Sequence, residues 1–241
     1  MKPLVLIGYP VGGSVHPAFC KSLCDMVRLE SLSPSKDYDL LPVEYSSSLY
    51  VEENRNLLVK VARDKGAQWL LQMDTDESFA PEALRLLMQT AKECQTKIVY
   101  GLYSNVQLAP ESVQGGFYVV DMIYREVANG EYESIVPPSD FKPFLVDAAG
   151  SGMLLTHLSV FERIEYPWFW LDLIIPRGKT EPQVMNEDIS FSRKAREAGY
   201  QLWCDPRVEA RHYKTVGLLP STFRHFLIRA ENVEKEMRAA S

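Results

Sequence analysis

The sequence has no excess of positive charge, no long apolar run and few cysteines. Its formal net charge is −6, which argues against non-specific binding of polyanions as a main task. No segment approaches the roughly 20 apolar residues that a membrane-crossing helix needs. The opening "MKPLVLIGYP" ends in Gly-Tyr-Pro without a small-residue cleavage site, so it reads as a first strand and not as a signal peptide. Of the four cysteines, Cys20 and Cys24 share one helix face, but no second pair completes a metal-site spacing. Reduced, structural thiols in a cytoplasmic protein are expected. Repeats, low-complexity segments and obvious flexible linkers are also lacking.

What is present is the balance of an ordinary globular chain. There are 241 residues, 46% of them hydrophobic and 24% charged, enough to bury a sizeable core. The charge is uneven. Residues 189–241 carry ten Lys and Arg against six Asp and Glu, which leaves −10 for residues 1–188. A locally basic C-terminal third suits either phosphate or a solvated helix of mixed charge.

Periodicity sets out the elements. "PLVLIGYP" is a continuous apolar run, as in a strand buried on both faces. Helical spacing follows over residues 17–29, with Pro17 tolerated in the first turn. "DYDLLPVEY" predicts a second strand. Residues 51–65 form an amphipathic helix stopped by Gly66. "AQWLLQMD" is a third strand, Pro81 opens a helix running to about Cys94, and "TKIVYGLY" is a fourth strand. This alternation predicts right-handed parallel units and a doubly wound sheet, whose ligands bind beyond the carboxyl ends of the strands. Pro10, Asp74, Asp76 and Tyr103 lie at such ends.

The second half changes texture. "GGFYVVDMIYREVANGEYESIV" reads as an antiparallel hairpin about "ANGE". "FLVDAAGSGMLLTHLSVFERI" predicts a strand, a glycine-containing loop and a short helix. "EDISFSRKAREAG" is a helix, "YQLWCDPRVEARHYKT" one or two strands, and residues 220–239 a closing helix. One continuous sheet shared by both halves is expected.

"LLQMDTD" poses the chemical question. Two aspartates one residue apart end a buried strand, where charge is costly unless met by a positive group. Hard carboxylate oxygens suit Mg²⁺ or Mn²⁺, often shared with substrate phosphates. Asp76 as a helix cap, or both acids solvated, is the competing explanation.

"GYPVGG", "LLQMDTD" and "MNEDISFSRKAREAGYQLWCDPRVEARHYKT", in that order, resemble glycosyltransferases of the GT-A fold, particularly the family-2-like enzymes, from Val5 to about Thr215. The resemblance implies one GT-A domain over residues 1–241. Its nucleotide-sugar-binding half is 1–105; its acceptor-side half is 106–241, with a C-terminal helix. It also implies that Asp74 and Asp76 hold Mn²⁺ or Mg²⁺ on the diphosphate of a nucleotide-sugar donor, a UDP-sugar being favoured. Asp76 would be the more direct ligand, with Asp74 towards the ribose, and His212 a further ligand. Pro10 corresponds to the loop where the base enters, and Arg55-Asn56 to a helix segment approaching the base or diphosphate. Gly150, Ser151 and Gly152 correspond to the segment lining donor sugar and acceptor. Glu187-Asp188 corresponds to the acidic pair beside the acceptor, Asp188 being the candidate general base of an inverting transfer. Acids in a first helical turn also favour the helix dipole without any catalysis.

The chain departs from that family in places. "MDTD" has no second acidic cluster beside it, and the Gln-x-x-Arg-Trp of processive synthases is replaced by "SFSRKAREAG", which argues against a membrane-embedded polysaccharide synthase. Lys214 can add to the field on the diphosphate. With Arg224, His225 and Arg229 it can also meet phosphates of a modified-DNA acceptor. "EYPWFWLD" is either core or a platform for stacking. Two other functions compete. A nucleotidyltransferase would carry a basic glycine-rich loop, and "GYPVGGSVHP" has Gly12 and Gly13 but no Arg or Lys. A non-catalytic nucleotide-sugar-binding module would not need all of Asp74, Asp76, Asp188 and His212.

Overall fold

The computed structural model describes residues 2–33, 36–108, 117–128, 130–175 and 180–214. The expected helix at 220–239, and Arg224, His225 and Arg229 with it, lie outside them.

The first strand, β1 (Leu4–Val11), alternates its apolar side chains between two cores. Val5 and Ile7 pack on one face of the sheet and Leu6 on the other, which is why the run is apolar throughout. Helix α1 (Pro17–Leu32) follows, with His16 as its cap: the imidazole Nδ1 accepts from Ala18 N at 3.2 Å. Next come β2 (Asp39–Leu40), β3 (Glu44–Ser47), α2 (Val51–Asp64), β4 (Trp69–Met73), a short β5 (Glu77–Phe79) and α3 (Ala83–Glu93). β6 (Ile98–Leu108) completes the alternation and runs five residues past the predicted "TKIVYGLY". β2, β3 and β4 all pair with β1 in parallel.

Past β6, the order predicted from alternation and the observed order diverge. β7 (Phe117–Asp121) pairs with β6, so the predicted hairpin is confined to β8 (Ile123–Ala128) and β9 (Glu131–Ser134). β10 (Phe144–Val146) and β11 (Ala148–Ala149) lead into the glycine loop. "MLLTH", expected in the short helix, is instead strand β12 (Met153–His157), with a single 3₁₀ turn at Leu158–Val160 after it. β12 inserts antiparallel between β4 and β6, which are therefore not neighbours. Its run of four fully buried residues suits a central strand walled by apolar layers on both sides.

The remaining elements are β13 (Asp172–Ile174), β14 (Gln183–Met185), α4 (Glu187–Glu197) and β15 (Leu202–His212). Gly199 stops α4 at φ +87°, a left-handed turn that glycine takes without strain. β15 is parallel to β6, shifts register between Asp205 and Glu209, and then pairs with β5. The main sheet runs β10-β15-β6-β12-β4-β1-β2, a ten-stranded mixed sheet with its side branches. Strands from both halves interleave at its centre, where β6 lies between β15 and β12. One core lies towards α2 and α4 and the other towards α1 and α3, and no described helix is long and apolar enough to cross a membrane. The carboxyl ends of β1, β4, β6 and β15 and the start of β12 all point to one edge.

Candidate active site

That edge has a buried part and an open part. The buried part forms around Arg55, whose side chain is only 1% exposed. Its Nη2 donates to Asp74 Oδ1 at 2.8 Å and its Nη1 to the carbonyl of Ser151 at 3.0 Å. Its Nε, which has no hydrogen bond, faces Glu187 Oε1 at 3.7 Å and Asp188 Oδ1 at 3.8 Å. α2 thus supplies the positive group that meets the acid ending β4. Burial works against the charge on Arg55, but Asp74, then Asp188 and Glu187, outweigh it and raise its pKa.

A fourth acid, which the sequence reading missed, belongs to this cluster. Glu77 is fully buried and neither carboxyl oxygen has a hydrogen-bond partner. Burial, then Asp74 and Asp76, push its pKa well above the ordinary value. Alternation was the available signal: Glu77 and Phe79 share a face of β5, and both are buried.

Gly150 and Gly152 are set by this packing. A Cβ on Gly152 would lie 2.1 Å from Glu77 Oε1, and one on Gly150 would lie 2.0 Å from the Tyr103 hydroxyl. Glycine is required here because side chains press on the loop. Ser151 is buried between them, and Asp74 N donates to Gly152 O at 2.8 Å, tying β4 to the start of β12.

Glu187 and Asp188 open α4 in its first turn. Burial, then Asp188, push Glu187 up to about 7. Asp188 is also raised, chiefly by burial and then by Asp74, while Arg55 and Ser151 oppose the rise. Four carboxyls around one guanidinium leave the pocket with surplus acid, so it holds protons.

The open part lies around Asp76. Its Oδ2 sits 3.0 Å from His212 Nε2 and accepts from Lys214 Nζ at 3.0 Å. Burial pushes Asp76 up, but the His212 and Lys214 hydrogen bonds overcome it and bring the carboxyl to about 2. Asp76 and Lys214 are half exposed on a cleft of 590 Å³ lined also by Pro10, Gly12, Gly13, Val51, Asp74 and Tyr213. The loop after β1 closes it: His16 N donates to Thr75 O at 2.9 Å, and the His16 ring stacks on Tyr213 with centroids 4.1 Å apart.

The residues present fit a divalent ion in part. Two ligands on adjacent corners of an octahedron with bonds of about 2.1 Å lie about 3 Å apart, the spacing of Asp76 and His212. His212 Nδ1 faces the Ser104 carbonyl at 3.3 Å, the kind of backbone acceptor that fixes a metal-binding imidazole. Among the described residues no group of three or more His, Cys, Asp and Glu is set to hold a metal. Phosphate oxygens and water would complete the shell, as is usual for Mg²⁺.

Not every expected residue reaches the cleft. Asn56 is buried and committed to structure: its amide donates to the carbonyls of Glu52 and Phe169 at 2.8 Å, and its oxygen accepts from Trp168 N and Phe169 N. It is not among the residues that line the cleft. Arg55 touches the acids and not the open cleft. Of the aromatic segment, Trp168 and Phe169 enter the core, where Phe169 stacks on Phe191, and Trp170 is half exposed.

No protein-family model matches the chain, and no curated protein matches it in sequence. Solved structures do match. A197 from STIV aligns with TM-score 0.54 and 16% identity over 89% of this chain and 87% of that one. GalNAc-T7, crystallised with UDP, GalNAc and Mn²⁺, aligns with TM-score 0.51 and 12% identity over 89% of this chain and 44% of its own. The chain has a GT-A-like α/β fold, with helices flanking a large, mostly parallel central sheet.

Proposed function

We propose that the protein is a metal-dependent glycosyltransferase that moves a sugar from a nucleotide-sugar donor, a UDP-sugar being favoured, to an acceptor hydroxyl. The observation that carries this reading is the meeting of Asp76, His212 and Lys214 at the mouth of a cleft on the carboxyl edge of a GT-A-like sheet. The complex of GalNAc-T7 with UDP and Mn²⁺ supports the same choice of ligands.

The donor's diphosphate leaves with added negative charge. Asp76 and His212, with Asp74 towards the ribose or through water, would hold a Mn²⁺ or Mg²⁺ that would supply electrostatic stabilisation of that charge. Lys214 adds a second positive group once it turns from Asp76 to phosphate. Pro10 and the Gly12-Gly13 loop shape the side where the base enters, and Gly150–Gly152 lets backbone approach the transferred sugar. Asp188 takes the acceptor's proton as the hydroxyl attacks, and its raised pKa makes it a better proton acceptor than an ordinary aspartate. Transfer by direct displacement inverts the anomeric centre.

Calorimetric titration with UDP, with and without Mn²⁺, tests the donor site. Binding should require the metal, and Asp76→Asn should abolish it while leaving the fold intact. UDP affinity in Mn²⁺ unchanged by that substitution would remove Asp76 from the site.

A further inference from the structure

We infer that Arg55 is a positioning residue that holds the proposed general base in register with the donor motif, and does not contact the donor. The inference rests on the glycosyltransferase reading for its catalytic arm only.

Three segments must be aligned for transfer: the end of β4 with the Asp-x-Asp motif, the glycine loop before β12, and the start of α4 with Asp188. They come from distant parts of the chain. Asp74 and Asp188 are 114 positions apart and are not hydrogen-bonded to each other. One guanidinium reaches all three, at 2.8 Å to Asp74, 3.0 Å to the Ser151 carbonyl and 3.8 Å to Asp188. The planar fork of arginine has fixed N–H directions suited to this, whereas lysine offers one point charge on a flexible stem. The Ser151 carbonyl adds directionality that charge alone would not give. Because Arg55 is buried beneath these segments, with no surface on the cleft lined by Asp74 and Asp76, it has no route to the donor.

The unpaired Nε marks where the device is incomplete at rest. It faces both α4 acids at 3.7 and 3.8 Å, outside hydrogen-bond distance. Asp188 Oδ1 is buried and likewise without a hydrogen bond. A small inward step of α4 would close that contact and fix the carboxylate's direction.

The Arg55→Lys variant separates positioning from donor contact. Calorimetry should show UDP–Mn²⁺ affinity within about threefold of the parent, while kcat falls on the order of 10²-fold, the scale of a misplaced proton acceptor, with donor KM little changed. An equal loss in donor affinity, or a kcat within threefold of the parent, would overturn the assignment. A second arm needs neither Arg55 substitution nor activity. Asp74→Asn and Asp188→Asn are close in shape to the parent side chains, and their thermal midpoints are read singly and together. If one guanidinium joins them, the double variant loses more than the two single losses added, because the buried cation is then left short of partners. Additive losses would sink the inference even if transferase activity is found. A non-additive result with no detectable transfer would remove the glycosyltransferase reading and keep the arginine link.

Discussion

The two aspartates of "MDTD" are one residue apart and have opposite surroundings. Asp74 lines the cleft as well but binds inward, its Oδ1 on the buried guanidinium of Arg55, near which Glu77, Glu187 and Asp188 also gather. Asp76 faces a cleft, with an imidazole and an ammonium on the same oxygen. Residues two apart share a face only within a strand, but β4 ends at Met73 and the chain turns at Thr75-Asp76 before β5, so one short motif reaches both the buried ion cluster and the open cleft. Glu77, Glu187 and Asp188 are raised and Asp76 is depressed. Environment, not residue type, assigns the roles: an acid pushed up suits proton transfer, and an acid kept ionised suits a cation.

Three substitutions bear on this contrast, beginning with the largest expected effect. Asp188→Asn should leave UDP–Mn²⁺ binding intact and cut turnover by on the order of 10²-fold or more, as for a lost general base. Near-normal turnover in a UDP-release assay would place the base elsewhere and leave the inner cluster a structural role alone. Gly152→Ala comes next. Its methyl would sit 2.1 Å from an oxygen of the fully buried Glu77, so that carboxyl or the loop must shift. A loss of about 1–3 kcal/mol is expected from overpacking, seen as a lower urea midpoint, and an unchanged midpoint would show that the loop is loose.

The third is a pH effect with a definite sign. Glu187 is raised from its ordinary 4.5 to about 7, so folding takes up a proton in that range. Its contribution to stability therefore falls as pH rises from about 4.5 to about 7, and the full penalty applies above. Glu187→Gln removes that penalty. Its thermal midpoint should exceed the parent's by a few degrees at pH 8 and match it at pH 4. A difference independent of pH would show that Glu187 does not titrate as the inner pocket requires.

Much of the fold was legible because alternating burial leaves a periodic trace: β1, α2, β4 and α4 begin and end near the expected residues. β12 was not, since a short apolar run such as "MLLTH" suits a buried helix or strand equally well, and only its sheet neighbours decide. The acidic motif was visible in the sequence, but its inner counter-ion was not. Arg55 sits in "EENRNLL" among polar neighbours, and nothing local distinguishes a guanidinium buried beneath a sheet from one in water. The structural partners of Asn56 were hidden for the same reason. Its partners Trp168 and Phe169 lie more than a hundred positions away.

The interleaving of β12 and β15 with strands of the first hundred residues has a practical consequence. Severing the polypeptide near position 105, where texture changes in the sequence, would not yield a donor module and an acceptor module. Each fragment would carry complementary pieces of one pocket: Arg55, Asp74 and Asp76 on the first, Ser151, Asp188 and His212 on the second. Activity regained on mixing the two would therefore report reassembly of the sheet itself.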